Sequence, residues 1–347
     1  MEHRWLSWLR RRWLLLLALT GCITLGVFRL DEIRQVMATL LHGQLQWVLV
    51  AVALQVVCFV LYALLYHLSF ATVEVESRWR DLVPVLFASI CLKTMVPSGG
   101  VSGVALFVDD AAKRGQSSAR AAQGALLVLA ADLVTMTPIL LYGLLYLSAQ
   151  RALQFYQIIA VALFIAFAVG MGALLLLGLW QPCLLRSALR AAQQAANRVA
   201  AWLRRPPFLP GDWARHNADE FAGAAAGIAA HPQRLGPALA LALLIHVIDV
   251  IGLYAVFLAY RQPVALGAVA VGFGMDVVFS VITFIPHGLG VAEGVITVAL
   301  TSLGIPAATA LVVALVARGL NIWLPFMLGL VSLHQVRSFG AARRAEQ

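Results

Sequence analysis

Apolar positions along this chain fall in long unbroken runs, not in the periodic stripes of a soluble helix or the alternation of a strand. Six runs stand out, at about 13–30, 45–67, 121–147, 155–180, 236–260 and 306–333. Crossing about 30 Å of hydrocarbon takes roughly 20 helical residues, and each run is close to or beyond that length. Two further apolar stretches are interrupted. Residues 81–108 contain Pro97-Ser98-Gly99-Gly100-Val101-Ser102-Gly103, and residues 265–304 contain Pro286-His287-Gly288-Leu289-Gly290-Val291-Ala292-Glu293-Gly294. A Pro followed by several Gly stops a helix and leaves backbone groups unpaired. At membrane depth that is tolerated only where protein or a wet cavity covers them. The pattern predicts an all-α polytopic membrane protein with six full transmembrane helices.

Charge decides what the interrupted stretches do. Of 25 basic residues, all but Lys93 and Lys113 are Arg, and the formal net charge is +9. In a membrane chain, basic residues collect on the cytoplasmic side. Placing Arg4, Arg10, Arg11 and Arg12 inside, two crossings return the chain at Arg78 and Arg80. Lys113, Arg114 and Arg120 follow the first break and belong on the same side, so 81–108 reads as a re-entrant hairpin. Two more crossings place 186–234, rich in Arg, inside. The C-terminal Arg337, Arg343 and Arg344 then require 265–304 to be a second re-entrant hairpin, entering from outside. Both termini are cytoplasmic. A single transmembrane domain over 1–335 is followed by a basic tail, 336–347. Within it, 45–147 and 236–333 both read span, hairpin, span, with opposite orientation. Such an inverted repeat with paired broken segments points to a transport site near the midplane. The setting is the plasma (inner) membrane of a prokaryote.

Composition sharpens this by exclusion. With 62% hydrophobic and 12% charged residues, no stretch is long and polar enough for a soluble catalytic domain. The basic excess is explained by topology and needs no nucleic acid. The linker 181–235 is the longest polar segment. Leu184, Leu185, Leu189, Val199 and Leu203 alternate there with Arg186, Arg190, Arg198, Arg204 and Arg205, which reads either as an amphipathic helix at the inner membrane surface or as a solvated connector. Leu19-Thr20-Gly21-Cys22 matches a lipoprotein cleavage box, but the apolar run continues through Phe28 as a span does. Cys58, Cys91 and Cys183 have no metal-ligand spacing and read as packing thiols, and neither metal nor cofactor is expected.

The candidate chemistry lies in seven ionisable residues within apolar segments: Lys93, Asp132, His246, Asp249, Asp276, Glu293 and Arg318. Charges at the centre of a membrane helix cost roughly 2.5–3.5 kcal/mol each on insertion scales, so these must face one another, a cavity or water. His246 and Asp249 are three residues apart and share a helix face. The cations and the free amides after Pro97 and Pro286 suit a phosphate-bearing headgroup. The surplus carboxylates and the histidine suit protons or charge balance, and simple structural pairing is the competing reading.

These residues resemble a known family. Pro97-Ser98-Gly99-Gly100-Val101-Ser102-Gly103 followed by Gly115 is similar to the first motif of the lysylphosphatidylglycerol synthase transmembrane-region (UPF0104, flippase-like) family. Phe284 to Gly294 is similar to its second motif, and Arg318 with Trp323-Leu324-Pro325 and Gly329 to its last helix. The departure is His287-Gly288-Leu289, where the family usually shows adjacent glycines, and it bears on the local turn. The resemblance implies a polytopic helical fold, and in bifunctional relatives this region moves aminoacylated phosphatidylglycerol between leaflets. Relatives that also synthesise that lipid carry a cytosolic aminoacyltransferase domain, so synthesis is not expected of these residues. By position, Glu293 and Arg318 are the foremost functional candidates.

Three function classes follow. The leading one is a lipid translocator whose partners are membrane lipids with anionic or phosphate-bearing headgroups. Its site gathers Lys93, Pro97, Ser98, Gly99, Gly100, Ser102 and Gly103 from one hairpin and Pro286, Gly288, Gly290, Glu293 and Arg318 from the other half. Asp132, His246, Asp249 and Asp276 balance charge or couple protons. The second is a non-transporting scaffold for lipid or envelope biosynthesis enzymes. The third is an intramembrane serine protease, since Gly100-Val101-Ser102-Gly103 matches the Gly-x-Ser-Gly of rhomboids, with His246 as a base.

Overall fold

The computed structural model describes residues 43–95, 101–202, 209–283 and 288–332. The run at 13–30, Cys22, the residues Pro97–Gly100, Pro286 and the basic tail lie outside them. Among the described residues, regular structure is helical throughout. Five helical segments are long and apolar enough to cross a membrane: Leu45–Thr72, Ser118–Ala149, Phe155–Trp180, Pro232–Ala259 and Ala307–Leu330. They match the five runs expected after residue 44. Their outward faces keep large apolar side chains such as Leu145, Phe155 and Val169 exposed, as a lipid-facing surface must.

In chain order the helices are α1 (Leu45–Thr72), α2 (Trp79–Met95), α3 (Val101–Lys113), α4 (Ser118–Ala149), α5 (Phe155–Trp180), α6 (Pro182–Trp202), α7 (Trp213–Ala230), α8 (Leu235–Ala259), α9 (Leu266–Ile282), α10 (Val291–Ser302), α11 (Ala307–Arg318) and α12 (Leu324–Ser332). The interrupted stretches form two pairs of short helices, α2 with α3 and α9 with α10, each packed against its partner. At 17, 13, 17 and 12 residues, these helices are shorter than a full crossing. The first pair ends at the level where it began. Arg114, just after α3, donates to the Asp81 carboxylate at 3.2 Å near the start of α2, and Arg120 pairs with Glu74 at 3.0 Å.

Contacts between the two halves are reciprocal. Helices α1 and α8, the first spans of each half, run antiparallel along their length. The Gln44 amide donates to the Ala259 carbonyl at 2.9 Å, the Cys58 thiol points to the Ile245 carbonyl at 3.8 Å, and Arg234 donates to the Ala71 carbonyl at the far end. Helix α9 packs antiparallel to α4, where Gly143 approaches Ala270 and Gly274 approaches Leu140. Helix α2 packs against α12, where Gly329 sits on the Phe87 carbonyl. Each first short helix thus leans on the last span of the other half.

The linker contains an amphipathic helix whose apolar line meets protein. Among the described side chains of α6, Leu185, Leu189 and Gln193 are buried, one residue per turn, while Leu184 is exposed. Helix α6 packs on α7, and α7 docks against α4 and α5. Small residues allow that approach: Gly223 lies on Gln123 and Gly227 on Val73. Leu185 and Leu189 are covered by protein.

The last span carries a feature the apolar run at 306–333 hides. Directly after Arg318, residues Gly319–Trp323 form a π-helical turn, with the Leu324 amide donating to the Gly319 carbonyl. Pro325 has no N–H for the next helical bond, and a wider turn upstream accommodates that loss.

Candidate functional site

All seven intramembrane ionisable residues fall in one polar chain between the two short helix pairs. Its second-half end centres on Arg318, whose side chain is 2% exposed. Its Nε lies 2.8 Å from Glu293 Oε1 on α10, and Nη1 pairs with Asp276 Oδ1 and donates to Ser280 Oγ at 3.2 Å, both on α9. Ser280 follows Asp276 by four residues, and its hydroxyl donates back to Asp276 Oδ1 at 3.4 Å. Helical spacing from Asp276 marks it in hindsight.

Glu293 does two jobs from one place. As the third residue of α10 it reaches back so that Oε2 accepts from the Gly290 amide at 2.6 Å, closing the helix start as half of a capping box. Its other oxygen faces Arg318. The turn before it needs glycine at two positions. Gly288 (φ 60°) and Gly290 (φ 87°) are left-handed, and a Cβ on Gly288 would come within 2.9 Å of the Phe279 carbonyl. Leu289 is not at positive φ, so the departure from adjacent glycines leaves the turn intact.

Asp276 also lines a narrow cavity with Asp249 of α8, Gln55 of α1 and Asn321 of the π turn. Asp249 is within electrostatic reach of Asp276 across it. The Cys58 thiol from α1 lies close to Asp249. One turn earlier on α8, His246 is buried, with its Nε2 3.3 Å from the Asp132 carbonyl and 3.9 Å from Asp132 Oδ1 on α4. Asp132 in turn is within electrostatic reach of Lys93 on α2. Tyr62 of α1 is within electrostatic reach of both Asp132 and Asp249.

The predicted substrate-binding residues therefore separate. Arg318, Glu293, Gly288 and Gly290 lie together, and Gly103 packs near Lys93, with a Cβ there 3.8 Å from the Lys93 Cβ. Lys93 is exposed and makes no ion pair among the described residues, whereas Arg318 is enclosed by two carboxylates. Pro97, Ser98, Gly99, Gly100 and Pro286 lie outside the described residues, and nothing is described of the Ser102 side chain. Asp132, His246, Asp249 and Asp276 link the two ends. Residues not singled out in the sequence are Gln55, Tyr62, Ser280 and Asn321. Among the described residues, no three His, Cys, Asp or Glu side chains converge as a metal site.

No curated protein and no solved structure matches this chain. Its apolar spans make it a multi-pass membrane protein, and its family ties it to lipid handling. Residues 13–329 match the family described as the lysylphosphatidylglycerol synthase TM region, and the chain belongs to that family.

Proposed function

We propose that the chain is a lipid translocator of a prokaryotic inner membrane, moving a phospholipid or lipid-linked headgroup between leaflets. The observation that carries this reading is the polar chain from Lys93 to Glu293, which runs between the two halves where their helices pack reciprocally. Ionisable groups are costly in hydrocarbon, and a continuous row of them marks a path for polar cargo. Lys93 offers the accessible cation for a phosphate. Arg318, held by Asp276 and Glu293, fixes the position of the second short helix pair.

In this reading the short pairs are re-entrant hairpins, α2–α3 from inside and α9–α10 from outside. Six full spans leave both termini cytoplasmic. The two halves form an inverted repeat, which the antiparallel α1–α8 pair and the Arg114–Asp81 bridge support. Rocking one half against the other alternates access to the two leaflets. No catalytic step is part of this reading.

The test is reconstitution of the protein in vesicles with a headgroup-labelled phospholipid panel. Accelerated movement across the bilayer is expected, with loss in Lys93→Gln. No acceleration for any lipid of the panel would overturn the proposal.

A second reading, a scaffold for lipid or envelope biosynthesis enzymes, is favoured by the docked α6–α7 pair, which leaves Arg190, Arg198 and Arg215 exposed. Charge reversal at these three separates the readings: scaffolding is lost, and lipid movement in vesicles persists.

A further inference from the structure

The histidine in the middle of the polar chain has a job that lipid binding alone does not require. His246 is buried, and its Nε2 faces the Asp132 carbonyl, which can only accept. The neutral ring therefore carries its hydrogen on Nε2, and Nδ1 is a lone pair. That atom is buried with no hydrogen-bond partner, as is Asp132 Oδ1. Two unsatisfied buried acceptors on neighbouring residues cost free energy and call for an explanation. Histidine is the side chain suited to take up and release a proton there.

Every element around His246 supplies a group of matching kind. Helix α8 itself carries Asp249 one turn away, and α4 carries Asp132. Helix α1 contributes Cys58 and Tyr62, and α9 contributes Asp276 across the cavity. The cations stand at the two ends, Lys93 beside Asp132 and Arg318 beside Asp276.

We infer that His246 passes protons between Asp249 and Asp132, and that this movement is coupled to that of an anionic headgroup bound at Lys93. The inference rests on the translocator reading. In the step, the Asp249 carboxyl turns toward the ring and gives its proton to Nδ1, forming an imidazolium. The ring then rotates and gives that same Nδ1 proton to the Asp132 carboxylate, which becomes neutral, and rotation back leaves the hydrogen on Nε2 as at the start. One O–H bond is broken and one is formed, with charge conserved. Neutral Asp132 no longer offsets the charge of the Lys93 ammonium, which then attracts a phosphate more strongly. When Asp132 releases its proton, its charge again offsets Lys93 and the hold on the headgroup weakens. Proton and anionic lipid thus travel together.

The experiment uses full-length protein in vesicles containing labelled phosphatidylglycerol and a lumenal pH dye, with a pH difference of one unit imposed. One proton per lipid supports a leaflet asymmetry of about tenfold per pH unit, with matching lumenal pH change. His246→Gln and Asp132→Asn are each expected to abolish the asymmetry, and thermal melting of each in detergent establishes that it is folded. Lipid movement by the wild type without asymmetry or pH change would overturn this inference and leave the translocator reading standing. So would asymmetry that survives in both variants, or that follows a sodium gradient at equal pH. No lipid movement by the wild type would overturn both.

Discussion

Glu293 and Arg318 meet at 2.8 Å while the same carboxylate holds the Gly290 amide at 2.6 Å, so one side chain ties the turn of the second short helix pair to the last span. Any shift of that turn relative to α11 must break one bond or the other. Removing Arg318 leaves Asp276 and Glu293 buried together without their cation. Arg318→Ala is expected to lower stability by about 3–5 kcal/mol, the usual loss when one partner of a buried pair is deleted. Adding Asp276→Asn and Glu293→Gln restores much of that stability. Thermal unfolding in detergent reads both effects, and an unaltered melting temperature in Arg318→Ala would remove the residue from the fold's support.

The two left-handed glycines differ in their surroundings. A methyl on Gly288 meets the Phe279 carbonyl and the Thr283 hydroxyl at 2.9 Å, whereas a methyl on Gly290 meets nothing. Gly290→Ala should cost about 1–2 kcal/mol, the penalty of left-handed backbone alone. Gly288→Ala should cost clearly more, and equal melting temperatures for the two would contradict the turn as described.

The Arg114–Asp81 and Arg120–Glu74 bridges gather residues 74–81 and 114–120 at one end of the molecule. In a background without native cysteines, Glu76→Cys and Ala119→Cys are therefore expected to react with an impermeant thiol reagent from the same side of sealed vesicles. Ser148→Cys, at the other end of α4, should react from the opposite side. Labelling of the first two from opposite faces would make α2–α3 a crossing.

Outside the spans, Glu220 on α7 offers a pH readout. Partial burial raises its carboxyl above the ordinary 4.5, and His216 at 3.1 Å opposes that shift. A folded pKa above the unfolded one means its favourable contribution is full below about 4.5 and is lost as pH rises through the raised value. Glu220→Gln should therefore gain stability relative to wild type as pH rises from 4 to 7. A constant difference in melting temperature across that range would count against the burial of Glu220.

The five spans after residue 44 were legible because each is a run of lipid-compatible side chains, and the breaks were legible because Pro and Gly announce themselves. Linkage among the charges was not. His246 and Asp132 are 114 positions apart, and nothing local pairs them. The π turn was hidden inside a largely apolar stretch, where hydropathy is blind to helix width. Docking of α7 escaped notice because its contact is made by Ala and Gly, which carry little hydropathy yet permit close approach. That Arg318 would be enclosed by two carboxylates, and Lys93 left accessible, depends on which α-helix meets which, a property of the assembled halves.

The reciprocal packing has a consequence of its own. It is the arrangement of a symmetric dimer, in which each copy presents the same surface to the other. In a true dimer any substitution appears twice, so both ends of the interface must stay chemically alike. In the inverted-repeat reading proposed above, a single chain that holds both partners is released from that rule. Its two ends are then free to differ, and they do: one carries an enclosed arginine, the other an accessible lysine.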